Sequence, residues 1–131
     1  MIIYPGETIT IAMPLDGNTV GTPHATSVVD RDGETVWNLP EHANGAVETM
    51  RFEFQNSELG YTLTMTNGAD ATIKYDAFMQ IVEGEELKFG PTSSCPVNAH
   101  ISVFEFWPHP IVMLLLSGFR VLPENDSMVC S

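Results

Sequence analysis

Residues 73–81 read IKYDAFMQI and form the longest run of alternating side chains in the chain. Ile73, Tyr75 and Ala77 share the apolar parity, and the residues between them are mostly polar. Successive side chains of a β-strand point to opposite faces, so this run predicts a strand with one face in a core. Phe78 interrupts the polar parity, which predicts that the second face of the strand is partly covered as well.

The same period of two recurs in residues 8–13, 50–55 and 61–66. Asn-Gly and Asp-Gly pairs supply the positive φ angles of tight turns, and Asn67-Gly68 predicts the clearest hairpin. Only residues 83–88 are compatible with a helix, of one turn at most. Further turn signals are Asp16-Gly17, Asp32-Gly33 and Asn44-Gly45.

This pattern predicts an all-β fold with about seven to nine short strands over residues 1–131 as one domain. We expect a two-sheet antiparallel β-sandwich, immunoglobulin-like or jelly-roll-like, and a small β-barrel is the alternative. The Cys-Trp-Cys spacing of a true immunoglobulin domain is absent from the sequence.

Residues 101–116 are unusually apolar. Both faces of the strand predicted at 101–107 carry apolar side chains, and residues 111–116 are apolar throughout. More apolar surface lies here than one small sandwich must bury, which favours a subunit interface and a homodimer. Ser117-Gly118 then predicts a β-bulge.

The charge balance excludes several classes of partner. The 131 residues include five basic and seventeen acidic side chains, for a net charge of −12. Nucleic acids and anionic lipids need basic surfaces, so we expect neither as a partner. The longest apolar run is far shorter than the roughly 20 residues that span a bilayer, so we expect no membrane insertion.

Cys95 and Cys130 are the only cysteines, and both lie in predicted loop or tail segments. Their even number and placement favour a disulfide, which would contribute roughly 3–4 kcal/mol on the chain-entropy model. Neither has a second ligand at a zinc-like spacing. Residues 1–13 lack the features of a secretory signal. The disulfide nevertheless favours a periplasmic or extracellular location over the cytoplasm.

The richest local chemistry lies between residues 95 and 110, where Cys95, His100, Glu105 and His109 define a candidate metal- or thiol-dependent site. His100 and Glu105 have opposite parity on an ideal strand, so a shared metal would need a bulge. Glu105 stands on an apolar face, where an unpaired carboxylate would be costly. Its expected partner is a buried cation, with Arg120 or Arg51 as candidates.

Trp37 and Trp107 define a second candidate site, together with the polar side chains of His100, Glu105 and His109. An exposed Trp can stack on a sugar or anchor a partner protein, but capping the core is the commoner role.

Other motifs give weaker signals. Asp30, Asp32 and Glu34 resemble the start of a calcium loop, but Gly33 stands fourth rather than sixth. The methionines of the alternating runs have apolar parity, which favours the core over copper. We therefore expect no cofactor and no metal. The sequence favours a non-catalytic module for protein interaction or assembly, and small-ligand or carbohydrate binding is the first alternative.

Overall fold

The computed structural model describes residues 1–16, 19–30, 35–38, 48–123 and 130. These residues form strands and no helix. In chain order the strands are β1 (Ile2–Ile3), β2 (Thr8–Met13), β3 (Leu15–Asp16), β4 (Thr19–Val20), β5 (His24–Val29), β6 (Thr35–Asn38), β7 (Glu48–Asn56), β8 (Tyr61–Asn67), β9 (Ile73–Glu83), β10 (Glu86–Thr92), β11 (Ser102–Trp107) and β12 (Met113–Val121).

The described strands form two antiparallel sheets and a short hairpin. The four-stranded sheet has the order β1-β12-β9-β10, the six-stranded sheet has the order β11-β8-β7-β2-β5-β6, and β3 pairs with β4. Both sheets end in edge strands, so the described strands do not close into a barrel. The two-sheet β-sandwich is confirmed and the β-barrel alternative is wrong. The choice between an immunoglobulin-like and a jelly-roll-like sandwich stays a prediction.

The core lies between the two sheets and is built by the apolar parity of each strand. Phe52 of β7 meets Tyr75 of β9 edge to face, with ring centroids 5.9 Å apart. Phe119 of β12 stacks on the same Tyr75 at 5.8 Å. The alternation therefore predicts the buried faces correctly. Completely buried core side chains include Ile3, Met13, Met50, Phe52, Phe54, Met65, Ile73, Tyr75, Leu114 and Leu116.

The predicted hairpin at Asn67-Gly68 is wrong, because β8 and β9 belong to different sheets. The buried Asn67 side chain holds the crossing instead. Its Nδ2 donates to the carbonyl oxygens of Ala71, at 2.8 Å, and Val97, at 2.9 Å. Its Oδ1 accepts the Ala69 N–H at 2.8 Å. The Asn67 side chain thus supplies hydrogen bonds to backbone groups at the crossing. Here an Asn-Gly pair stabilises a crossing between sheets and not a hairpin turn.

β9 and β10 form a hairpin, so residues 83–88, the segment compatible with one helical turn, form strand and turn instead. Glu83 pairs with Glu86 across a two-residue turn, and Gly84 adopts a φ of +66°. The first turn position of a type II′ hairpin needs such a φ and hence glycine. The pairing of β12 with β9 stops at Gln80, which lies opposite Met113. The end of the hairpin beyond Gln80 therefore extends past the paired part of β12.

The prediction from this packing compares one substitution at two positions. Phe52→Ala in the core is expected to lower the free energy of unfolding by about 3–5 kcal/mol, since it removes a buried ring and leaves a cavity. Phe104→Ala, on a strand position that is 71% exposed, is expected to cost less than about 1 kcal/mol. Denaturant unfolding of both variants measures the difference, and equal losses would contradict the assigned strand faces.

Candidate functional site

The segment from 95 to 110 places its polar residues on different sides of β11. Glu105 and Trp107 face the interior, whereas Phe104 and Phe106 face solvent. This split agrees with the parity expected from the sequence. Trp107 is only 8% exposed, packs on Phe54, and donates its indole N–H to the hydroxyl of Thr92 at 3.2 Å. Its ring thus belongs to the core and offers no open stacking surface.

The two histidines lie at opposite ends of β11. The exposed His100 ring contacts the carboxylate of Asp70 at 2.5 Å, and His109 lies near the Pro110 carbonyl oxygen at 3.3 Å. A six-residue strand separates them, which corresponds to roughly 20 Å. Within the part of the chain that the structure describes, no group of three or more His, Cys, Asp and Glu side chains is arranged to hold a metal ion.

Cys95 and Cys130 form a disulfide, as the sequence predicts. The bond ties residue 130 to the segment that leads from β10 to β11, across 35 positions of sequence. Both sulfurs are used in this bond, so the thiol-dependent site has no free thiol in this state. Cys95 therefore contributes to stability in this structure.

Glu105 has a different neighbour from the arginines expected for it. Its Oε1 accepts the backbone N–H of Cys95 at 2.8 Å. Arg120 pairs with Asp76 at 3.3 Å, and Arg51 pairs with Glu53 at 2.8 Å. Burial raises the pKa of the Glu105 carboxyl, and the Cys95 N–H and the charge of Lys74 partly oppose that rise.

Lys74 is a buried cation that the sequence pattern did not reveal, because it stands on the polar parity of β9. Its side chain is 5% exposed, and its Nζ donates to the carbonyl oxygen of Ser94 and, at 3.0 Å, to the Ser94 hydroxyl. The Ser94 hydroxyl in turn donates to the Tyr75 carbonyl oxygen at 2.5 Å. Burial and the charge of Arg120 lower the pKa of Lys74, whereas Glu105 and Asp76 counteract this.

These bonds fasten the segment after β10 across the edge of the sandwich. Thr92 bonds to Trp107, Cys95 to Glu105, and Val97 pairs with Ile73 through two backbone bonds of 3.0 and 2.9 Å. Lys74 and Ser94 add a buried bond to the same segment. Because each group is used in a contact between the two sheets, this arrangement forms a clamp at the edge of the sandwich.

A different feature stands out on the four-stranded sheet, whose outward face is mainly apolar from Phe78 to the β9–β10 hairpin. Cross-strand partners in an antiparallel sheet share a face, and Phe78 lies opposite Pro91, and Val82 opposite Leu87. Among the described positions of this face, Gln80 lies within the apolar surface, and Lys74, Asp76 and Ser117 lie at its end next to the bulge of β12. We call its apolar members the outer apolar face: Ile2, Phe78, Val82, Leu87, Phe89, Pro91, Met113 and Leu115.

The outer apolar face is most exposed at the β9–β10 hairpin. Val82, Leu87 and Phe89 are 57%, 62% and 53% exposed. The rings of Phe78 and Phe89 stack in parallel, with centroids 5.9 Å apart and planes 11° apart. The apolar Phe78 that breaks the parity of β9 was the sequence signal for this surface. Phe78 is half-buried and Lys74, at the other end of this face, is buried, so the second face of β9 is partly covered, as the sequence predicts.

The remaining candidates from the sequence are Trp37 and two acidic turns. The side chain of Trp37, on β6, lies outside the described side chains, as do Asp32 and Glu34 of the first acidic turn. Glu83, Glu85 and Glu86 are exposed at the tip of the β9–β10 hairpin.

Comparison with protein-family models, with curated proteins and with solved structures finds no match for this chain. Among the residues that the structure describes, no helix is long and apolar enough to cross a membrane.

The prediction from the clamp concerns pH. Burial raises the pKa of Glu105 above its ordinary value of 4.5, so the folded chain retains this proton where the unfolded chain has lost it. The proton on the Glu105 carboxyl therefore stabilises the folded chain at low pH, and this stabilisation is lost as pH rises above 4.5. Glu105→Gln, which keeps an acceptor for the Cys95 N–H, is expected to gain stability relative to the wild type as pH rises from about 4 to 7.

Denaturant unfolding across this pH range measures the difference between the two proteins. Glu58→Gln, in the exposed turn after β7, is the matched control for the loss of one negative charge. A wild-type protein that instead gains stability over Glu105→Gln with rising pH would contradict the dominance of burial.

Proposed function

We propose that this chain is a non-catalytic module that binds a partner protein through its outer apolar face. The observation that carries the proposal is the exposure of Val82, Leu87 and Phe89 on a sheet face that is mainly apolar around the β9–β10 hairpin. Antiparallel sheets usually present polar side chains to water on the face that is not packed in the core. Large contiguous apolar patches on a soluble domain mark contact surfaces.

The stacked pair of Phe78 and Phe89 is the proposed anchor of this contact. Buried aromatic side chains contribute a large share of the binding energy at interfaces, and these two rings already hold one arrangement. The short hairpin turn at Gly84 connects their strands, so binding requires little ordering of the backbone.

The charges around the face indicate the chemistry of the partner. Glu83, Glu85 and Glu86 lie at the tip next to Val82 and Leu87, and the chain has a net charge of −12. A partner surface with apolar side chains at its centre and Lys or Arg at its rim would complement both features. The same negative charge disfavours binding to a second copy of the chain through this tip.

Self-association through residues 101–116 remains a second proposal, supported by the exposed rings of Phe104 and Phe106. Other apolar residues of that segment, including Ile111, Leu114 and Leu116, are buried in the core of the sandwich. Residues 101–116 therefore offer less exposed apolar surface for a dimer interface than the sequence suggested. Light scattering coupled to size-exclusion chromatography distinguishes a dimer that Phe104→Ser abolishes from a monomer.

We also propose a periplasmic or extracellular location. The Cys95–Cys130 disulfide supports it, because such bonds persist in oxidising compartments.

The prediction for the outer apolar face uses a double variant, Leu87→Ser with Phe89→Ser. Quantitative affinity capture from the source cells identifies proteins held by the wild-type chain, and titration with each purified candidate then gives its Kd. We expect the double variant to weaken the partner's binding at least about tenfold, since it removes the apolar centre of the contact.

Phe104→Ser is the matched control, because it also removes an exposed ring but from the six-stranded sheet. It is expected to leave the Kd within about twofold of the wild-type value. A partner that the double variant retains, or that Phe104→Ser loses equally, would contradict the assignment of the contact to the outer apolar face.

A further inference from the structure

The unequal width of the two sheets leaves a cavity at the side of the sandwich away from β10 and β11. The four-stranded sheet ends at β1, which is only two residues long, whereas the six-stranded sheet continues through β5 and β6. The inner face of β5 therefore has no complete strand opposite it. A cavity of about 600 Å³ lies there, between β12, β2, β5 and the segment that follows β4.

The cavity is lined mainly by apolar groups. Ile11, Ala25 and Leu116 contribute from three strands, and Phe119 and Val20 complete the apolar wall. Polar side chains come from Thr22 and Ser117, and no charged side chain lies in the described lining. The α-ammonium group of Met1, which also lines the cavity, donates to the Leu116 carbonyl oxygen at 2.8 Å. Small-molecule sites typically have volumes of roughly 300–1,000 Å³ and combine an apolar wall with a few polar groups.

The bulge of β12 forms one wall and is held in place. Gly118 has a φ of +63°, and a Cβ atom at this position would clash with the Oδ2 of Asp76. The Arg120 guanidinium donates to the Gly118 carbonyl oxygen at 2.8 Å and pairs with Asp76. This wall of the cavity thus has no side chain at Gly118, and the contacts of Arg120 with Gly118 and Asp76 hold it in place. Bulges occur often beside functional sites.

We propose that this cavity binds a small, uncharged and largely apolar organic molecule, with the Thr22 and Ser117 hydroxyls as the available polar side chains. The volume matches such a ligand, and the described lining has no basic side chain. Its ammonium group, at Met1, already donates to the Leu116 carbonyl oxygen, and burial lowers the pKa of that group. The net charge of −12 opposes an anion. The site is independent of the outer apolar face, because none of its described lining residues belongs to that face.

The test uses two fluorescent probes that share one aromatic skeleton. N-phenyl-1-naphthylamine is neutral, and 8-anilinonaphthalene-1-sulfonate adds a sulfonate. Fluorescence titration of the intact chain is expected to show one saturable site for the neutral probe, with a Kd at least about tenfold lower than for the sulfonate. Equal affinities, tighter binding of the sulfonate, or the absence of saturable binding would overturn the proposal.

Two variants locate the site. Ala25→Leu replaces a methyl by an isobutyl group inside the cavity, and Thr22→Phe places a ring at its exposed rim. Each is expected to weaken binding of the neutral probe at least about tenfold. Circular dichroism checks that each variant is folded. Thr22→Phe keeps the test decisive if Ala25→Leu disturbs the core.

Leu87→Ser is the control, because the outer apolar face is the other surface that attracts such a probe. It is expected to leave the Kd unchanged. Loss of binding in Leu87→Ser, with retention in Thr22→Phe, would place the probe on the outer apolar face and overturn the cavity proposal. It would leave the proposed protein-binding function in place.

Discussion

The packing of β9 against β7 through Tyr75 and Phe52 fixes the orientation of the four-stranded sheet. Side chains alternate along a strand, so burying Tyr75 also determines which residues of β9 point away from the core. Phe78 and Val82 have the opposite parity and therefore lie on the outer surface. The exposed apolar surface thus follows directly from the formation of the core, because a shift of one residue would exchange the two faces.

The second constraint is the difference in width between the sheets. Four strands face six, so the two sides of the sandwich are closed by different means. On one side, the segment after β10 is fastened by Trp107, Glu105, Lys74 and the disulfide at Cys95. On the other side, β1 is too short to cover β5, and a cavity remains. The clamp accounts for most of the polar residues that attracted attention in the sequence.

The sequence predicted those features that depend on local pattern. Alternation gave the strand faces, Ser117-Gly118 gave the bulge, and the two cysteines gave the disulfide. It did not predict features that depend on the pairing of distant strands. Asn67-Gly68 has the composition of a hairpin turn but marks a crossing, and Lys74 has the parity of an exposed residue but is covered by Ser94. Both outcomes depend on which sheet the next strand joins, which local periodicity does not encode.

Hydroxyl-radical footprinting is the most direct test of the central claim that the outer apolar face is a contact surface. Oxidation of Phe89 and Leu87 is measured in the purified chain and in the chain within its source cells, and is compared with oxidation of Tyr4 and Leu59, which are also exposed. We expect Phe89 and Leu87 to react readily in the purified chain and to be protected in cells, relative to the other two residues. Equal reactivity of all four in both settings would contradict the claim.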